Sequence, residues 1–154
     1  MTKGLAGLAS MLGLLAVVGC TAEATRAAQG ELRERCRQEG KRPFVLASDQ
    51  PGALLVAVSG VCVGAADIVH TSPAFGADLV RSSHIQGAGV IDVYPHTIAE
   101  RAGIQVWDVI VEYAGQSIEL PADLKSALAK TAPGDRVQIA ILRNKHRVSA
   151  TAQF

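Results

Sequence analysis

The chain has 154 residues, 49% of them hydrophobic and only 4% aromatic, and its 15 Lys and Arg nearly cancel 14 Asp and Glu to leave a net charge of +1. That length suits one ordinary domain with some chain to spare and excludes two. A nearly neutral chain also lacks the basic field on which phosphate-driven association depends, so no nucleic-acid partner is expected.

The mean hydropathy of +0.24 owes much to the N-terminus. Residues 1–19 carry Lys3 and then an apolar run from Leu5 to Val18 broken only by Gly and Ser, which is the pattern of a secretory signal. The run is too short and too glycine-rich for a membrane-spanning helix, which needs about 20 mainly apolar residues. Val17-Val18-Gly19-Cys20 resembles the bacterial lipobox, in which a small residue precedes the cysteine whose thiol carries lipid. The resemblance implies that residues 1–19 form a lipoprotein signal peptide and that Cys20 becomes an acylated N-terminus bearing palmitate-type chains. Thr21, where an Asp is absent, implies an outer-membrane anchor facing the periplasm. The alternative is an ordinary cleaved signal with a cysteine nearby. Lys3 is the only charged residue removed, so the remaining chain has 14 basic and 14 acidic residues.

Residues 20–42 are rich in Ala, Glu, Arg and Gln, with Glu31/Arg35 and Glu34/Arg37 at ion-pair spacing. They read as a solvated helical tether interrupted near Gly30, its basic side chains either leaning on anionic head groups or simply solvated. Residues 43–71 form a small β-rich segment: Pro43 to Ser48, a turn at Asp49-Gln50-Pro51-Gly52, then Ala53 to Gly64. With Cys20 lipidated, Cys36 and Cys62 are the remaining thiols, and in an oxidising compartment an even pair is most simply a disulfide. A buried free thiol at Cys62, within Val61-Cys62-Val63, is the other reading. The spacing of the pair fits no metal pattern, and no cofactor is expected.

From Ser72 onward, Gly87 to Pro95 reads as a strand. His96 to Gly103 reads as a short helix with a Thr97/Glu100 capping box and a Gly103 stop. Trp107 to Tyr113 and Gln116 to Leu120 read as strands, and Pro121 opens a second helix through Leu124, Ala127 and Leu128 to Lys130. Pro133-Gly134-Asp135 then turns into Arg136 to Leu142, and a last strand runs from Val148 to Phe154. This order resembles the bacterial PDZ domains of HtrA-type and C-terminal-processing proteases. The resemblance rests on Gly89-Val90, Val93 and Pro95, on Ala99-Glu100-Arg101-Ala102-Gly103-Ile104, and on Asp108-Val109-Ile110 with Gly115. Asp123-Leu124 with Leu128, and Pro133-Gly134-Asp135, complete it. Trp107 stands where the family usually has Gly, and Asn144-Lys145 replaces the usual Asp-Gly. The implied architecture is α+β: a PDZ-like partly open β-barrel or sandwich capped by two helices, over residues 72–154.

PDZ domains add a peptide C-terminus as a strand, its carboxylate held by backbone N–H groups of a Gly-containing loop. The resemblance places that loop and strand at Phe75-Gly76-Ala77 and Leu79, with Leu128 closing the pocket and Lys125 on its rim. Phe75 and Leu79 either line the pocket or are ordinary core. No nucleophile elbow, His-Glu-x-x-His or phosphate loop occurs in the sequence, so neither an enzyme nor a small-molecule substrate is expected. Ser59, Ser82 and Ser83 lie near His70 and His84 in sequence without an arguable Asp partner. Two functions follow. One is a membrane-anchored module that binds a protein C-terminus or extended segment in the cell envelope. The other is a scaffold subunit whose groove is filled by a constitutive partner or by its own chain, and residues 43–71 decide between them.

Overall fold

A computed structural model describes residues 15–17, 22–48 and 56–154. Cys20, the turn at 49–52 and Ala53-Leu54-Leu55 lie outside the described residues. β1 (Leu15–Val17), β2 (Arg42–Ser48) and β3 (Val56–Val63) form an antiparallel sheet in the order β1-β3-β2, with α1 (Ala22–Gln38) packed on it; β1 falls within residues 1–19, so cleavage of that segment as a signal would leave β3 paired with β2 alone. Pro43 has no N–H to give, and its strand is an edge, where that loss is tolerated.

After a 3-10 turn at Ala65–Asp67 comes the larger sheet. Its strands are β4 (Ile68–His70), β5 (Ala77–Val80), β6 (Ala88–Val93), β7 (Val109–Tyr113), β8 (Gln116–Ser117), β9 (Arg136–Arg143) and β10 (His146–Gln153). They run in the order β10-β9-β7-β6-β5-β4, with β8 on β7. The result is an open sheet and not a closed barrel. α2 (Ile98–Arg101) and α3 (Pro121–Leu128) cover one face, over a core that includes Phe75, Leu79, Val90, Ile110, Tyr113, Leu124 and Ile139. Pro121 opens α3 as its first-turn role predicts, and Asp123 Oδ2 accepts the N–H groups of Glu119 and Leu120.

Three local expectations are corrected. α1 runs through Gly30 without a break and is not merely solvated: Ala28, Leu32 and Cys36 are buried against Val45 and Val58. The Thr97/Glu100 box does not close on itself, since the Thr97 hydroxyl donates to the Tyr94 carbonyl and Glu100 accepts the N–H of His96. Trp107, read from the sequence as the start of the strand through Tyr113, lies in the turn before β7. It adopts φ +76°, which explains why Gly suits that place, and an L side chain there costs about 1–2 kcal/mol. The indole offsets that by packing between the α1 cluster and the Phe44 cluster, with the Arg33 guanidinium 5.5 Å above its ring. Asn144 and Lys145 both take positive φ, as a two-residue hairpin of the primed type requires.

The two sheets are joined by Phe44, fully buried with Val63, Val80, Ile85, Ile91 and Val109. Alternation along β2 sends Phe44 to this interface and Val45 to α1. Cys36 and Cys62 bond across α1 and β3, with Cα atoms 5.2 Å apart. In the larger sheet the buried Asp108 accepts from Arg143 Nε and Nη2 at 2.8 and 2.7 Å and from the Gln105 N–H, so its partners hold the turn before β7.

Gly89 tests this joint. A Cβ there would lie 2.8 Å from Phe44 Cζ and 2.9 Å from Cε2, and the buried ring has no room to retreat. Gly89→Ala is expected to destabilise by about 1–3 kcal/mol. In the Phe44→Leu background thermal unfolding should show a smaller penalty for the same change; equal penalties would mean that the two residues do not meet.

Candidate functional site

β5 has two edges. One pairs with β6, and the other is taken by β4, antiparallel, with Ile68 opposite Val80, Val69 opposite Leu79 and His70 opposite Asp78. Period-two alternation sends Val69 into the core beneath α3 and Ile68 into the interface with β2. β4 therefore occupies the strip between β5 and α3.

The loop that follows is satisfied by its own chain. The Phe75 N–H donates to Ser72 Oγ (3.4 Å), the Gly76 N–H to the Ser72 carbonyl (2.9 Å) and the Ala77 N–H to Thr71 Oγ1 (3.1 Å). Thr71 returns two bonds to the Ala77 carbonyl, from its N–H (3.2 Å) and its hydroxyl (2.7 Å). Gly76 is required there: its φ is +73°, and a Cβ would collide with Thr97.

Of the five groove residues expected from the sequence, Phe75, Ala77 and Leu79 do share one face. They are core, at 0–1% exposure, and not the walls of a cleft. Phe75 stacks on Phe154, ring centroids 6.4 Å apart, and Phe154 meets Tyr113 edge-on. The reason is that β4 and α3 cover the strand on the side where a pocket was expected. Leu128 alone of the five side chains borders open space, a cleft of about 370 Å³ shared with His70, Thr71, Ser72, Lys125 and Ala129. Cys36 and Cys62 are together, and Cys20 lies outside the described residues.

Sequence reasoning missed Asp78. It is buried, and it stands directly opposite Asp92 on β6. Like charges in that register are unfavourable, and a buried carboxylate needs partners. Asp78 Oδ1 lies 2.7 Å from His70 Nδ1 and Oδ2 accepts the Tyr94 hydroxyl at 2.7 Å, while Arg42 Nη1 on β2 meets Asp92 at 2.6 Å. The Asp92 carboxylate in turn holds the Arg42 guanidinium above its ordinary range, with burial opposing. The pattern was hard to see in sequence because its members come from β2, β4, β5 and β6.

In a second cleft beside Cys62, lined by Asp67, Arg81, Ser82, Ser83 and His84, Ser82 Oγ accepts the backbone N–H of His84. Among the described residues no cluster of three His, Cys, Asp or Glu could hold a metal ion, and no helix is long and apolar enough to cross a membrane.

The family model for the PDZ domain matches residues 64–153. A probable periplasmic serine protease of the do/HhoA-like type from Haemophilus influenzae is 34% identical over 71 residues, 44% of this chain and 15% of that protein. The periplasmic pH-dependent serine endoprotease DegQ of Escherichia coli is 35% identical over 71 residues, 44% of this chain and 16% of its own. This chain thus spans about a sixth of the curated relatives it matches. Among solved structures, the HtrA-type protease AlgW with a decapeptide is 18% identical (TM-score 0.46, covering 73% of this chain and 49% of that one). An aminopeptidase N family protein from Idiomarina loihiensis is 22% identical (TM-score 0.47, covering 79% and 19%).

The Asp78 bond has a measurable consequence. Hydrogen bonding to that carboxylate holds the Tyr94 phenol above the usual tyrosine value of about 10. A raised folded pKa means that the bond's contribution is present below the unfolded value and is lost as pH rises through the folded one. Ultraviolet difference titration of the chain against Tyr94→Phe should place Tyr94 above free tyrosine, and Asp78→Asn should lower it. An unchanged titration in Asp78→Asn would rule the bond out as the cause.

Proposed function

The chain belongs to the PDZ domain family, and from that premise we propose a non-catalytic protein-binding unit of the bacterial cell envelope, anchored to a membrane by lipid on Cys20. Its groove is occupied by its own strand in the resting state. The envelope location is supported by the relatives named as periplasmic, by the signal-like residues 1–19, and by a disulfide of the kind that persists in oxidising compartments. Lipid on Cys20 accords with Val17-Val18-Gly19-Cys20, and Thr21 favours the outer membrane. Two or more acyl chains would give a stable anchor where one gives only a marginal one. Serine proteases supply the curated likeness, and the non-catalytic reading rests on the family match being to a PDZ domain and not to a protease domain.

The observation that carries the closed groove is the fate of the Phe75, Gly76 and Ala77 N–H groups. In a carboxylate-capturing loop such donors face a ligand; here all three are directed to Ser72 and Thr71. An anion arriving at the loop would have to replace bonds already made. Of the two functions open at the outset, this favours the scaffold with an internally filled groove as the resting form.

Two measurements test the reading. Metabolic labelling with palmitate in a diderm bacterium should mark the membrane-bound protein and lose the mark in Cys20→Ser; equal labelling would remove the anchor. Amide-resolved titration of the oxidised Cys20→Ser chain with mixed C-terminal peptides should leave Gly76, Leu79 and Leu128 unmoved at roughly 100 μM, a level at which an open micromolar site would saturate. Shifts there that vanish on peptide amidation would establish an open groove instead.

A further inference from the structure

We propose that residues 68–71 are an internal stand-in for a peptide C-terminus, displaced by an extended segment of another protein whose penultimate residue brings a hydrogen-bond donor or positive charge to Asp78. This rests on the self-occupied groove and adds which ligand replaces the strand.

The direction and register of β4 are those of an added peptide. It runs antiparallel to β5 and points at the Gly76 loop, and Val69 faces the core under α3 while Thr71 abuts the cleft against Leu128. Thr71 then sits at the position of a terminal residue, and His70 at the penultimate one. Beyond it the chain continues, and the Ser72 carbonyl and hydroxyl take the bonds that a carboxylate would accept.

The fit is partial. Only three residues of β4 pair with β5, the His70 side chain is 75% exposed, and the cleft of about 370 Å³ between Thr71 and Leu128 is left unfilled, with Lys125 at its rim. A threonine is small for that space. An incoming segment with a free carboxylate and a larger final side chain pairs with β5 as β4 does, offers acceptors to the N–H groups of residues 75–77 and fills more of the cleft, at the loss of the Thr71 hydroxyl bond to the Ala77 carbonyl.

Asp78 sets the second condition. Its Oδ2 is committed to Tyr94, whereas Oδ1 is partnered by His70, which leaves with the strand. The charged and titratable groups around it are then Asp92 opposite on β6, Arg42 on β2, which is bound to Asp92, and Tyr94 just beyond β6. A buried carboxylate oxygen without a partner is costly, so a ligand restoring a donor at this place is favoured. One bringing an acid meets two carboxylates.

The probe is the octapeptide Gly-Ala-Ala-Asp-Ile-Val-His-Thr, the sequence of residues 64–71, as the free acid and as the amide, with Lys and Glu versions at the penultimate place. Binding is measured by amide shifts and calorimetry on the oxidised Cys20→Ser chain, alone and carrying Val69→Asp to expel the strand. Thr71→Gly is the milder second variant, and the β6, β7 and β9 amides report that each remains folded. The free acid should bind either opened variant at least tenfold more tightly than the parent, because a site open for only a fraction of the time has its affinity reduced by that fraction. The amide and the Glu version should each be at least tenfold weaker than the free acid, and Asp78→Asn in the opened background should cut the preference for Lys over Glu severalfold, leaving only what Asp92 contributes. Equal binding by parent and opened variants would defeat the closed groove itself. A folded opened variant that ignores the peptide would defeat the stand-in while leaving the closed groove intact, and an unchanged Lys-to-Glu ratio in Asp78→Asn would defeat the role given to Asp78.

Discussion

The backbone of β5 imposes the constraint on which the arrangement turns. This four-residue strand is buried along its whole length, between the α3 core and the layer that contains Phe44. Buried peptide groups left unpaired cost about as much as lost hydrogen bonds. β6 answers one edge. The other, together with the three donors that follow one another at 75–77, has to be answered by a ligand, by water or by the chain. Residues 68–72 answer it, and the path before them is built to deliver them: β3 ends at Val63, the disulfide ties Cys62 to α1, and the Asp67 carbonyl accepts the Arg81 N–H, holding the start of β4 beside the end of β5.

The same strand joins the groove to the N-terminal layer. Asp78 and Asp92 face each other across β5 and β6, an arrangement that would be unfavourable on a bare sheet. Arg42 reaches in from β2, bonding Asp92 and, more weakly at 3.4 Å, the Ile91 carbonyl. Residues before 64, outside the PDZ match, thus neutralise charge next to the β4–β5 edge while Phe44 fills the space beside Gly89. The α1 helix is coupled to the same body through Arg33 over Trp107 and through Cys36. What reads in sequence as a tether followed by a separate β segment is a second layer of one folded unit.

Much of the larger sheet was legible because its signals are local. Gly103 at positive φ after α2, Pro121 opening α3, and the alternation of β9 depend on neighbours in the chain. The burial of α1 was not legible, since Ala28, Leu32 and Cys36 form a thin apolar stripe in a polar helix, too weak to declare a partner. Nor was the role of Trp107, whose turn geometry is local but whose contacts come from α1. At the groove, the sequence located Phe75, Gly76, Ala77, Leu79 and Leu128 but could not tell lining from core. That distinction depends on whether β4 lies on β5, a hairpin pairing of only three residues across a six-residue turn, too short for a periodicity to announce it. The run Ile68-Val69-His70-Thr71-Ser72 carries the one available hint: β-branched residues leading into hydroxyl side chains that can mimic a carboxylate's acceptors.

A self-occupied groove changes what affinity means for such a module. A strand joined to its site by a six-residue turn competes as an intramolecular ligand, at an effective concentration in the millimolar range for a short flexible connection. A free peptide in dilute solution is then outcompeted even when its intrinsic contacts are good. The disadvantage shrinks for a segment carried by a protein held at the same membrane face, because confinement raises its local concentration by the same physics that favours β4. If Cys20 carries lipid as proposed, the two features would act together: an anchor would restrict which proteins come near, and β4 on β5 would disfavour those that come near only by diffusion.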